Sequence, residues 1–137
     1  MLLQVFLTFE VYTGSNQNDP KANAVQNMVQ RLAKPFKGKG HTFYIDRYFC
    51  APGIANKLYC KGMNVVSVPQ SLKQKKLKKV EHIASWSGPF LSAEWKDVRD
   101  VIMYSTVHKN NMVTSNARGR HEKSKPESVV SYNKFKV

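Results

Sequence analysis

The chain has 137 residues, 42% of them hydrophobic and 11% aromatic, enough for one domain with a core and too few for several. Lys and Arg outnumber Asp and Glu by 22 to 9, leaving a net charge of +13, which favours an anionic polymer or surface as partner and says nothing about fold. No stretch approaches the ~18 apolar residues of a membrane helix, so no membrane partner is expected. Met1 to Leu7 lacks the cationic lead-in and small-residue cleavage site of a secretory signal, so the chain is not expected to be secreted. Two cysteines, Cys50 and Cys60, are too few for a disulfide scaffold or a zinc site of their own. Reduced thiols, in cytosol or nucleus, are the expectation, and a single bridge between the two stays open.

In chain order, residues 2–13 read as a strand, with Val5, Leu7, Phe9 and Val11 on one face and Phe6, Thr8, Glu10 and Tyr12 on the other. A polar turn follows. Asp19 and Pro20 form a helix start, and Val25, Met28, Val29 and Leu32 make one apolar helical face that Pro35 ends. Lys37-Gly38-Lys39-Gly40 reads as a flexible cationic turn. His41 to Phe49 reads as a second strand, Pro52 opens a short helix closed by Gly62, and Met63 to Val68 is a third strand. The order β-α-β-α-β predicts a partly parallel sheet with helices packed on it. After a lysine run come three strand-like pieces, at 80–86, 90–95 and 101–107, expected as a hairpin or meander. Residues 109–127 are polar and basic and read as a loop, and 128–135 as a last strand or the start of a helix.

The charges are uneven. From Pro20 to Val80 Asp46 is the only acid, set among thirteen cations. The bland reading is an ion pair with Arg47 or a nearby lysine. The sharper one is a metal-binding or catalytic carboxylate at a strand end, where ligands of open α/β sheets bind, beside a basic groove for phosphates. One carboxylate is a poor magnesium site, because two-metal phosphoryl chemistry clamps ions ~3.5–4 Å apart with several. Lys37 and Lys39, with the acid-free run Lys73, Lys75, Lys76, Lys78 and Lys79, are the candidate DNA contacts; otherwise the run is a solvated loop. His41, His82, His108 and His121 show no ligand spacing. Trp86, Trp95, Tyr44, Tyr48 and Phe49 are read as packing, and Asp97 and Asp100 as local ion pairs around Arg99. There is no Ser-His-Asp or Cys-His arrangement and no phosphate-cradling glycine loop.

Several blocks, in order, resemble one family. Phe9-Glu10-Val11-Tyr12-Thr13-Gly14 is similar to the "FEVYTG" of piggyBac-type transposases and their domesticated derivatives. Lys37-Gly38-Lys39-Gly40-His41-Thr42-Phe43-Tyr44-Ile45-Asp46, then Tyr48-Phe49, resembles the family's "GKGHxxYxDNFYTS". Ser87-Gly88-Pro89, Trp95-Lys96-Asp97, Arg99-Asp100-Val101, Ser105-Thr106-Val107-His108, Lys125-Pro126 and Tyr132-Asn133-Lys134 resemble its later blocks. The resemblance implies an α/β fold: a ribonuclease-H-like β-α-β-α-β core, partial over residues 1–70, a β-rich insertion over 71–120, and a return toward the core over 121–137. It implies DNA cutting and joining at TTAA sites by three Asp residues that hold Mg2+ in the intact family, with Asp46 matching the second.

The departures shape the functional expectation. In the family the first Asp precedes "FEVYTG" and the third follows "YNK". Arg47 stands where Asn is usual, and Phe49-Cys50-Ala51 where Tyr-Thr-Ser is usual. The incomplete core is therefore expected to be inactive alone, to need no cofactor, and to hold Asp46 as a vestigial ligand. Sheet strands without neighbours are expected to leave open edges that invite self-association. Two alternatives remain: a basic DNA-associating module without chemistry, in the nucleus or cytoplasm, or a piece of a longer active DNA transposase.

Overall fold

A computed structural model describes residues 9–11, 23–69, 81–96, 98–115 and 123–135. The strand expected over 2–13 falls mostly outside these residues; Phe9 to Val11 are described and lie in no strand. The Asp19-Pro20 start and the lysine run also fall outside. Within the described part, α1 (Ala24–Ala33) buries Ala33 and leans Val29 on the core, as the i, i+4 spacing requires. Pro35 does end it, through a short 3-10 turn over Lys34–Phe36.

The first strand, β1 (Thr42–Ile45), is shorter than the predicted 41–49. Its chain turns at once, because the Asp46 carbonyl accepts the Phe49 and Cys50 N–H groups at 3.0 and 3.1 Å. Pro52 then opens α2 (Pro52–Cys60) where its missing N–H costs nothing. Gly62, at φ +75°, closes the helix and leads into β2 (Asn64–Ser67). The turn at 37–40 is not loose: Gly38 N–H donates to the Lys61 carbonyl at 2.9 Å and Gly40 N–H to that of Gly62 at 3.2 Å.

β3 (His82–Ser87), β4 (Phe90–Lys96) and β5 (Asp100–Ser105) form the expected meander. Gly88, at φ +55° before Pro89, makes the two-residue turn between the first two. All five strands join one mixed sheet in the order β1-β2-β5-β4-β3. Only β1 and β2 run parallel, and the other neighbours are antiparallel. The join between β2 and β5 is brief, Val66 opposite Ser105 and Ser67 opposite Tyr104. It is extended by Thr106, whose N–H reaches the Val65 carbonyl at 3.0 Å and whose hydroxyl accepts the Val65 N–H at 2.9 Å.

The loop expected over 109–127 is overturned. β6 (Met112–Ser115) and β7 (Lys123–Pro126) pair antiparallel, and α3 (Glu127–Phe135) follows directly. Met112 supplies the missing apolar anchor, since it packs against the Trp95 and Tyr132 cluster. The choice left open at 128–135 is settled as helix.

Alternate residues of β1 and β2 face opposite layers. Phe43, Ile45 and Val65 join Ile54, Ala55, Leu58 and Met63 under α1 and α2. Tyr44 and Val66 join Trp95, Met103, Val129 and Tyr132 under α3. Ile54, Leu58 and Val65 are wholly buried, each stabilising the fold by about 1.5–3 kcal/mol. Trp95 is core as expected, and Trp86 is not: it lies 56% exposed on β3, at the end of the strand order. Tyr48 is likewise exposed, against the packing role read from sequence, with Phe49 edge-on to it at 5.0 Å.

Candidate functional site

Asp46 follows the last residue of β1, so strand alternation turns it toward the α3 side of the sheet. Two residues earlier, Tyr44 docks on that helix. Its hydroxyl lies 3.0 Å from the Ser131 hydroxyl, and its ring sits 4.8 Å from that of Phe135, one helical turn on. Tyr132, next to Ser131, therefore reaches Asp46, and its O–H donates to Asp46 Oδ1 at 3.3 Å. The Arg47 main-chain N–H donates to the same oxygen at 2.7 Å. Asp46 itself is exposed. Burial first, then the Asp46 charge and the hydrogen bond to it, push the Tyr132 hydroxyl up to about 12. Tyr132 is thus a firm proton donor at neutral pH and stays uncharged beside the carboxylate.

Among the described residues, no three of His, Cys, Asp and Glu gather closely enough to hold a metal ion. Asp46 brings one carboxylate, with a phenol and a main-chain amide as its neighbours. Mg2+ demands near-octahedral oxygen ligation, and one carboxylate, with an amide N–H and a phenol already directed at its Oδ1, does not supply it. The described residues at Asp46 do not fit a catalytic metal pair.

Lys37 and Lys39 are exposed in the turn before β1. They sit at the strand's amino end and Asp46 at its carboxyl end, so the structure does not bring them together. Lys34 and Lys57 are also exposed, toward the carboxyl ends of α1 and α2, where cations offset the helix dipole. Lys61 is committed to the Gln30 side chain at 3.1 Å. Lys73, Lys75, Lys76, Lys78 and Lys79 lie outside the described residues.

Two other pairs look chemical and are structural. Ser105 Oγ is 2.8 Å from His108 Nδ1, yet Ser105 is wholly buried and its oxygen accepts the Val107 and His108 N–H groups. That geometry terminates β5 and leaves no exposed nucleophile. Burial lowers the His108 pKa, partly offset by the Glu127 carboxylate. Cys50 is buried, donates to the Ser67 hydroxyl, and burial raises its thiol pKa; Cys60 is exposed, and neither is bridged. Of the local ion pairs expected around Arg99, Asp97 lies outside the described residues, and Asp100 pairs with Lys96, its Oδ1 2.8 Å from Nζ but outside hydrogen-bond geometry. Arg31 grips Glu10 with two bonds, 2.6 and 3.1 Å, which lowers the Glu10 pKa.

The sequence singles out Asp46 but not the hydroxyl that bonds it. Tyr132 entered only as part of a motif, because nothing local connects it to a residue 86 positions away. The signal that could have found it is the Ser131, Tyr132, Phe135 spacing, which puts all three on adjacent parts of one helix face.

The family model for transposase IS4 matches residues 3–137, so the chain belongs to that family. It is also similar in fold to the piggyBac transposase of a synaptic complex with hairpin DNA, solved by cryo-electron microscopy. The TM-score is 0.69 at 18% identity, over 89% of this chain and 27% of that one. The resemblance to piggyBac-type transposases read from the motifs is borne out. The chain spans about a quarter of the length of the structure it matches. The described helices include none long and apolar enough to cross a membrane.

Proposed function

We propose that this chain is a transposase-derived polypeptide built on part of a ribonuclease-H-like core, with Asp46 in the place of the second metal-binding Asp, and that alone it neither cuts nor joins DNA. The setting of Asp46 carries this reading. It ends a sheet strand, where the chemistry of such sheets is placed, yet Oδ1 is engaged by Tyr132 and the Arg47 amide. One carboxylate does not position the two ions that an in-line phosphoryl displacement requires. No step through a metal follows from these residues. A longer polypeptide that brought further carboxylates to Asp46 would use it as a ligand.

The test is incubation of the purified chain with duplex DNA containing TTAA, in Mg2+ or Mn2+. Neither nicked nor joined product is expected, and neither ion should raise the melting temperature. A product, or a metal-dependent rise, that Asp46→Asn abolishes would overturn the proposal.

The exposed Lys34, Lys37, Lys39 and Lys57 favour a second reading, a nuclear DNA-associating module without chemistry. Each phosphate contact adds about 0.9 to the slope of log affinity against log salt. Substituting Lys37 and Lys39 together by Gln should lower that slope by about 1.8. Absence of duplex binding at low salt would remove this reading.

A further inference from the structure

β3 lies at the end of the strand order, with β4 as its neighbour on one side and nothing paired to its other side among the described residues. The direction of its backbone groups can be fixed. Lys96 N–H donates to the Glu81 carbonyl at 3.1 Å, and Ser87 faces Phe90 across a two-residue turn. Residues 81, 83, 85 and 87 therefore turn their N–H and C=O groups toward β4. His82, Ala84 and Trp86 turn theirs outward, to the open edge.

That edge lacks the usual defences. The strand His82-Ile83-Ala84-Ser85-Trp86-Ser87 contains no Lys, Arg, Asp, Glu or Pro, in a chain of net charge +13. Ile83 is 43% and Trp86 56% exposed, on opposite faces of the strand. Two copies of so basic a chain repel, and pairing along this strand sets no like charges opposite each other within it.

We propose that β3 is a self-association edge, pairing antiparallel with β3 of a second copy on a two-fold axis through Ala84. This register places Ala84 opposite its own equivalent and His82 opposite the partner's Trp86. All three outward residues of each strand then exchange both of their bonds, so six N–H···O=C bonds form and no outward group is left unpaired. Shifting the axis to Ser85 leaves His82 outside the paired strand. The centred register also lays the exposed Trp86 indole beside the partner's His82 imidazole on one face, and Ile83 beside the partner's Ser85 on the other. Smallness of the edge makes this a weak, reversible dimer, populated as concentration rises through the micromolar range. The inference stands apart from the transposase reading and does not involve Asp46.

Light scattering and sedimentation across a concentration series test it. Monomer should give way to dimer as concentration rises, and Trp86 emission should shift to the blue in step. Ala84→Pro removes an N–H that points away from β4, so it blocks the new ladder and spares the existing one. Trp86→Lys places a charge on the same edge. Both variants should be monomeric throughout, with the far-ultraviolet circular dichroism of the parent as evidence of folding. A parent that stays monomeric at every concentration overturns the proposal. So does a dimer that persists in either folded variant, or one that assembles into species larger than two. Should Ala84→Pro not fold, Trp86→Lys alone decides.

Discussion

The bond between Tyr132 and Asp46 joins a buried donor to an exposed acceptor, and that asymmetry predicts which partner is costlier to remove. Tyr132→Phe deletes the hydroxyl and leaves a solvent-facing carboxylate that water and the Arg47 amide still satisfy. At 3.3 Å the bond is long, so the loss should be at the low end for a hydrogen bond, about 0.5–1 kcal/mol. Asp46→Ala instead leaves a phenolic O–H on a residue only 6% exposed, without its acceptor. Stranding such a group costs about 1–3 kcal/mol. Asp46→Asn keeps an oxygen for both donors and should cost less than Asp46→Ala. Urea unfolding of the parent, the three single variants and the Tyr132→Phe/Asp46→Ala double variant gives these numbers directly. The double variant should regain part of the Asp46→Ala loss, because the orphaned hydroxyl has gone. If Tyr132→Phe costs more than Asp46→Ala, or the double variant is simply additive, the two groups are not coupled and the reasoning fails.

Three further outcomes are expected. The Tyr132 hydroxyl ionises near 10 in an unfolded chain and at about 12 in the native one, so its contribution is full below pH 10 and lost as pH rises toward 12; its share of the fall in unfolding free energy over that range is at most about 2–3 kcal/mol, and Tyr132→Phe should fall less than the parent, the remainder coming from Tyr104 and Cys50, which burial also raises. A thiol reagent should label Cys60 at once and Cys50 only on unfolding, and two fast thiols in the native protein would contradict the burial of Cys50. Gly62→Ala should destabilise by more than the ~1–2 kcal/mol of a left-handed residue alone, because its new methyl would stand 3.0 Å from Gly38 Cα, whereas Gly40→Ala, with φ +68° and nothing within 4 Å, should cost only the conformational part; equal losses by thermal melting would refute the steric component.

Local chemistry was legible where it acts locally. Pro35, Pro52 and Gly62 marked the ends of α1 and α2 because each imposes a backbone constraint on its own residue. The β-branched run at Val65, Val66 and Val68 and the Ser87-Gly88-Pro89-Phe90 turn placed β2 and the meander for the same reason. Partnerships between distant segments were not legible. Met112 and Val113 look polar in context because Lys109, Asn110, Asn111 and Thr114 surround them, and only the Trp95 cluster gives Met112 a reason to be there. Hydrophobicity alone places Trp86 in the core, but strand order, not composition, decides which strand is last, and β3 is that strand. Charge counting singles out Asp46, since an acid among thirteen cations stands out along a line. Its phenolic neighbour and its separation from Lys37 and Lys39 are properties of β1 as a rod with two ends, which a line does not show.

The short contact between β2 and β5 has one more consequence. The polypeptide leaves the parallel pair after Ser67 and comes back as α3, whose Ser131, Tyr132 and Phe135 grip Tyr44 and Asp46. Between those points the described chain touches base again, where β5 pairs with β2 and Trp95 and Met103 pack beside Tyr132. Loops along this path can lengthen or shorten over generations while these contacts stay put, because closing a longer loop adds little entropy. Such changes, confined to the connections, leave in place the strands and helix that hold Asp46.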